Sequence, residues 1–243
     1  MRAPLSPSAL LALHLGFGAA VLVAAAWLFG AIAEDVVTHE RITIVDIEIA
    51  RWLRAHATPA LTTPMLVLTS LHSTVAVSIY SAVVGLALVR RRQWRRLITV
   101  VVCLAGGMAL NVLMKLAFQR ARPVLDKPLL TLPDFSFPSG HVVGSTLMYG
   151  LVVAWVFTRT PHAGLRVAAV VAAASMVVLV AFTRTYLGVH FLSDVAAGFA
   201  EGVAWLALCL TSLSVFWRRT GWLAPAGAPA TSGRADAVTP AHA

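Results

Sequence analysis

Lys115 and Arg122 stand seven residues apart and Pro123 closes the pair; Pro138-Ser139-Gly140-His141 follows, and Thr183-Arg184, His190 and Asp194 come later. All lie beside apolar segments that should reject charge, so their presence calls for a functional explanation. Arginine offers a planar fork that matches two anionic oxygens, and lysine supplies a compact charge. Pro138-Ser139-Gly140-His141 opens an apolar helix, which places its backbone N–H groups at a helix N-terminus, a natural anion site. Gly140 lets backbone approach a ligand, Ser139 adds a hydroxyl donor, and His141 can protonate a departing oxygen. His190 and Asp194 are spaced i, i+4, so the carboxylate can meet one imidazole nitrogen and aim the other at a substrate. Histidine is an accepted nucleophile. Together these residue types describe phosphate chemistry at a membrane surface.

The elements that must carry them are membrane helices. The chain is 59% hydrophobic and only 12% charged, and its mean hydropathy is +0.82, which excludes an ordinary soluble domain. The net charge of +9 marks no nucleic-acid partner, because no basic run is interleaved with aromatic residues as a single-strand platform requires. Residues 9–32 form the first apolar run, read as a retained signal anchor although Ala31-Ile32-Ala33 resembles a signal-peptidase site. Within 41–56, Ile42, Val45, Ile49, Trp52 and Leu53 recur at helical spacing and predict a short amphipathic helix lying on the membrane. Further spans are predicted over 61–89, 97–118, 142–158, 167–182 and 190–216. The expected fold is an all-α integral membrane protein, a six-transmembrane-helix bundle forming one domain over 1–220. If the third span stays helical to its end, Lys115 and Arg122 lie two turns apart on one face, about 10 Å along the axis. Pro123, Pro128, Pro133 and Pro138 make 121–141 a loop.

Charge orients the bundle. Arg90, Arg91, Arg92, Arg95 and Arg96 crowd one short loop and place it inside, and Arg159, Arg166, Arg218 and Arg219 agree with it. Both termini are then inside, and all three clusters reach the outer membrane–water interface. Residues 221–243, rich in Ala, Pro, Gly and Ser, read as a disordered cytoplasmic tail. Cys103 and Cys209 fall in apolar runs and suggest neither a disulfide nor a metal site. With no HExxH, CxxC or clustered carboxylates, no metal or cofactor is predicted. His14, His39, His56, His72 and His162 read as structural. Arg120 and Lys127 have two open readings, anchoring the loop at lipid headgroups or attracting an anionic substrate. Glu201 reads as a structural acid, hydrogen-bonded by Asn111 or by hydroxyls of other spans.

Lys115 with Arg122-Pro123 reads K-x6-R-P, Pro138 to His141 reads P-S-G-H, and Arg184, His190 and Asp194 read R-x5-H-x3-D. Together they resemble the three-part signature of the type 2 phosphatidic acid phosphatase superfamily. One departure is Thr183, where the family usually has serine; threonine keeps the hydroxyl donor. The resemblance implies a metal-independent lipid phosphate phosphatase, and the charge rule turns its active site outward from what reads as a bacterial cytoplasmic membrane. In that reading His190 attacks phosphorus to form a phosphohistidine, His141 protonates the leaving group, and Asp194 keeps His190 in its nucleophilic tautomer. Lys115, Arg122, Ser139, Gly140 and Arg184 would bind the phosphate oxygens. Undecaprenyl diphosphate is the preferred substrate, since an outward site suits recycling of a cell-wall carrier. Alternatives are phosphatidate or phosphatidylglycerophosphate hydrolysis, phosphoryl transfer to another lipid, and a non-catalytic phospholipid-binding module. The predicted partners are the lipid phosphate and the bilayer, and no oligomeric state is assigned.

Overall fold

The computed structural model describes residues 6–125, 129–130 and 132–220. Lys127, Pro128 and the expected tail over 221–243 lie outside them. Among the described residues there are eight helices and no strands: α1 (Pro7–Val37), α2 (Arg41–Ala55), α3 (Pro59–Leu71), α4 (Thr74–Arg90), α5 (Trp94–Phe118), α6 (Gly140–Arg159), α7 (Ala163–Tyr186) and α8 (Leu192–Arg219). Five are long and apolar enough to cross a membrane, and α3 with α4 makes up to a sixth span. The all-helical bundle expected from the apolar runs is therefore present, with two changes of shape.

The first concerns the span predicted over 61–89, which is broken. Helices α3 and α4 meet at a bend of 43°. The break follows from His72-Ser73. The Ser73 hydroxyl accepts from Ala76 N at 3.2 Å and so starts a new helix, while the His72 ring contacts Leu68 O at 2.9 Å and the Tyr149 hydroxyl at 2.8 Å. A side-chain cap satisfies a donor that a continuous helix would satisfy itself, so it favours a restart.

The second change sits at the end of α5. Gln119 adopts a left-handed conformation (φ 45°), and its N–H closes on Lys115 O at 2.9 Å. That is a helix stop, and it turns the next residues off the axis. Lys115 and Arg122 therefore do not share a helical face. Arg184 belongs to the last turn of α7 and Gly140 and His141 to the first turn of α6, whereas His190 precedes α8.

Helix α2 forms as predicted, but its buried stripe differs in composition. Asp46 and Ala50 are buried, Ile42, Ile49 and Leu53 are half-buried, and Val45 and Trp52 are exposed. The stripe repeats every three to four residues, as a docked helix requires, with a carboxylate near its middle. Beneath the segment after α5, Phe29, Phe118 and Phe137 stack with centroids 5.0–6.1 Å apart, against buried Ile32, Ala33, Val36 and Ala197. This apolar plug joins α1, α5 and α8 at the end of the bundle where the cationic residues lie. Arg90 to Arg92, Arg159, Arg218 and Arg219 stand at the opposite ends of their helices.

Candidate active site

The loop after α5 folds back so that one carboxylate serves two cations. Asp134 Oδ2 lies 3.1 Å from Lys115 Nζ, and Asp134 Oδ1 accepts from Arg122 Nη2 at 2.6 Å. Lys115 also donates to Phe135 O, and Arg122 to Asp134 O at 2.8 Å, to Phe135 O at 3.3 Å and to Val189 O. Partial burial alone would raise the Asp134 carboxyl, but the Arg122 hydrogen bond and the Lys115 and Arg122 charges outweigh it and hold it below the usual range. A carboxylate bridging an arginine fork and an ammonium has the charge and oxygen geometry of a small oxyanion.

Ser139 precedes α6 and is fully buried. Its backbone N–H donates to Asp194 O at 3.0 Å, and its carbonyl accepts from Val142 and Val143 N–H. Its hydroxyl has no hydrogen-bond partner among the described residues. Gly198 makes this seat possible: a Cβ there would lie 2.7 Å from Ser139 O, so α8 can press against the Ser139 backbone only where no side chain intervenes. Asn111 holds the same segment from α5, donating to Pro138 O at 3.4 Å and to Glu201 Oε2 at 3.0 Å. The structural reading of Glu201 thus has a partner, Asn111.

Arg184 is 1% exposed. Its Nη1 donates to Thr69 Oγ1 at 2.7 Å, while Nε and Nη2 have no partner among the described residues. Unmet buried donors are costly, roughly 1–3 kcal/mol each, so a guanidinium kept this way is suited to an incoming acceptor. The Thr183 hydroxyl donates to Val180 O at 2.7 Å. It is thus engaged with its own helix, and the expected phosphate donor at this position is not offered.

His190 is 2% exposed. Its Nε2 lies 3.3 Å from Arg122 Nη1, and its Nδ1 lies 3.4 Å from Asp194 Oδ2, a close approach without hydrogen-bond alignment. Burial pushes the imidazole down to about 4 despite the upward pull of Asp194, and Arg184 and Arg122 add to the lowering. The ring is therefore neutral at ordinary pH, with a lone pair available on one nitrogen. His141 is half-buried, and Arg184, His190 and Arg122 all bear on it electrostatically. The eight site residues predicted from sequence thus gather at one end of the bundle.

Asp134, within the loop 121–141, and Asp46, within the α2 pattern, carry no role in the sequence reading, and Arg120 has two open ones. Asp46 and Arg120 form, with Asp194, a buried charge cluster: Arg120 Nη1 donates to Asp194 Oδ1 at 2.6 Å, and Nη2 to Asp46 Oδ2 at 2.8 Å. Arg120 therefore turns its guanidinium inward onto two carboxylates, unlike either of the two readings left open for it. The available signal was Asp46, an acid at a core position of an amphipathic pattern. Among the described residues, no group of three or more His, Cys, Asp or Glu side chains is placed to hold a metal ion.

An all-helical integral membrane protein with a buried cationic cluster and an oriented histidine at one end of its bundle is the class that fold and site define. Within it, the chain belongs to the PAP2 superfamily, whose family model matches residues 96–218. Phosphatidylglycerophosphatase B of Bacillus subtilis is 33% identical over 114 residues, 46% of this chain. The chain matches about half, 55%, of that relative's length. The crystal structure of a transmembrane PAP2-type phosphatidylglycerolphosphate phosphatase from Bacillus subtilis superposes with a TM-score of 0.71 at 25% identity, covering 82% of this chain and 96% of that one. Aquifex aeolicus LpxE shares the fold, with a TM-score of 0.53 at 19% identity over 68% of this chain and 94% of that one.

Proposed function

We propose that this chain is a membrane lipid phosphate phosphatase that works through a covalent phosphohistidine. The observation that carries the proposal is the set of buried donors without acceptors, Arg184 Nε and Nη2 and the Ser139 hydroxyl, beside a neutral, buried His190. Phosphoryl transfer asks of a protein mainly positioning and neutralisation of oxyanion charge, and these groups supply both. His190 Nε2 attacks phosphorus, and His141 delivers a proton to the leaving oxygen. Water then attacks the phosphohistidine, releasing inorganic phosphate and restoring His190. Lys115, Arg122, Ser139, Gly140 and Arg184 hold the non-bridging oxygens.

The similarity to phosphatidylglycerophosphate phosphatases makes that lipid the first substrate to try, ahead of the undecaprenyl diphosphate preferred from topology. The decisive assay is phosphate release by the purified protein in detergent, with EDTA, from phosphatidylglycerophosphate, phosphatidate and undecaprenyl diphosphate in parallel. Release from at least one lipid supports the reading. Loss of phosphate from the lipid only when an alcohol acceptor is added, with the phosphoryl group recovered on that alcohol and no inorganic phosphate freed, would make the protein a phosphotransferase, and no turnover of any lipid would leave a binding module.

Asp134 would have to yield Lys115 and Arg122 to the substrate. Asp134→Asn is therefore expected to lower KM about twofold to fivefold, the scale of a partly exposed ion pair of up to about 1 kcal/mol, with kcat little changed. A rise in KM would show instead that Asp134 positions the two cations.

In this reading the site faces out of the cell. Val124 is 96% exposed, and both native cysteines are buried. A Val124→Cys protein should be labelled by an impermeant maleimide on intact cells, and labelling only after lysis would reverse the orientation.

A further inference from the structure

Helix α2 docks through a stripe whose centre is Asp46, 1% exposed. An apolar residue would dock the helix at least as well, because taking a carboxylate out of water is expensive and its partners only repay the cost. Every partner of Asp46 leads toward His190. Its Oδ1 accepts from Ser193 N at 2.9 Å, and its Oδ2 accepts from the Ser193 hydroxyl and from Arg120 Nη2 at 2.8 Å. Arg120 Nη1 donates at 2.7 Å to Ser193 Oγ and at 2.6 Å to Asp194 Oδ1, and the guanidinium lies 4.4 Å over the Phe191 ring. The other Asp194 oxygen accepts from Phe191 N at 2.8 Å and faces His190 Nδ1 at 3.4 Å. One guanidinium thus spans two carboxylates, one on the surface helix and one on α8. Without it the Asp194 carboxylate would lose the contact that fixes one of its oxygens.

We infer that Arg120 and Asp46 are positioning residues for the reaction: they clamp the Asp194 carboxylate in the orientation from which it aims the His190 imidazole. The inference rests on the proposed histidine nucleophile. Neither residue touches the substrate, so the clamp should act on kcat through Asp194 and leave KM nearly alone.

The test compares full-length wild type with Arg120→Met, Asp194→Asn and the double variant, following phosphate release from the best lipid. Arg120→Met alone is expected to lower kcat about 10- to 100-fold, the range of strongly coupled neighbours, with KM within about twofold. In the Asp194→Asn background the same change should cost less than about twofold more, because the group it positions has already lost its charge. Equal losses in both backgrounds, or an unchanged kcat, would overturn the clamp. Arg120→Met leaves two buried carboxylates together and can fail to fold. The Asp46→Asn/Arg120→Met pair keeps the net charge of the cluster and gives the same comparison.

A second measurement stands apart from catalysis. In protein labelled with 15N-histidine, the His190 Nδ1 resonance, assigned by its loss in His190→Gln, should move on Arg120→Met while that of His72 stays. A His190 signal that does not move overturns the clamp whether or not lipid is hydrolysed. If it moves while wild type releases no phosphate, the clamp holds and the proposed phosphatase reaction fails.

Discussion

Replacing His190 by alanine is expected to reduce phosphate release at least about 1,000-fold while leaving the helical fold intact, since removal of the proposed covalent nucleophile would leave only binding and charge stabilisation. The fold should survive because His190 sits in the short connection between α7 and α8 and its Nδ1 makes no hydrogen bond. The variant also separates the two chemical steps, since a 32P-labelled enzyme intermediate trapped by rapid quench should form on wild type and be absent from His190→Ala. A labelled intermediate on the alanine variant would assign the nucleophile elsewhere. The pH profile adds a second check. Burial brings His190 to about 4, and in the proposed mechanism the neutral imidazole is the reactive form. On this group's account kcat/KM should be level through neutrality and fall as pH drops through about 4, where the ring gains a proton. An acid limb near the ordinary histidine value would mean that the free enzyme holds His190 in a more solvated setting.

Arg184→Gln should show the opposite pairing of effects on activity and stability. The guanidinium is buried, meets Thr69 through one nitrogen and leaves two without partners. In the proposed transition state those two would face developing oxyanion charge, and loss of such a donor set typically reduces kcat about 100- to 1,000-fold. In the folded protein without substrate they are a burden, because a buried cation without full compensation destabilises. Arg184→Gln is therefore expected to cut kcat by that factor while thermal unfolding in detergent stays level or rises. A large fall in unfolding temperature together with retained turnover would make Arg184 a structural residue. The pairing is the familiar exchange of stability for function at a site built to receive charge.

Much of the architecture was legible because each element carries its own local signal. Apolar runs of bilayer length are visible in any window, and arginine clusters at their ends mark one end of the bundle. The i, i+3, i+4 pattern of α2 is equally local. Errors came where one or two side chains decide a helix boundary. Ser73 caps α4 and breaks the second span, and Gln119 turns left-handed and ends α5 before Arg122. The Ser73 cap is worth about 1 kcal/mol, and a left-handed Gln119 goes against that residue's own preference; neither stands out against an apolar run of more than 20 residues, yet each redirects the chain.

By itself the sequence marked which residues could do chemistry: the Lys115, Arg122, Ser139, Gly140, His141, Arg184, His190 and Asp194 set was read from residue type and spacing together with the three-part signature they resemble, since charge beside apolar helices has few other uses. It also determined that they share one end of the bundle, because alternating spans leave two ends to choose from. Only the tertiary structure decided how they are supported. That Asp134 bridges Lys115 and Arg122, that Arg120 turns inward to span Asp46 and Asp194, and that Thr183 points into its own helix all depend on contacts between residues far apart in the chain. Those contacts are set by where α5 stops and by how α2 lies against α7 and α8. Spacing along one helix carries no record of such distances.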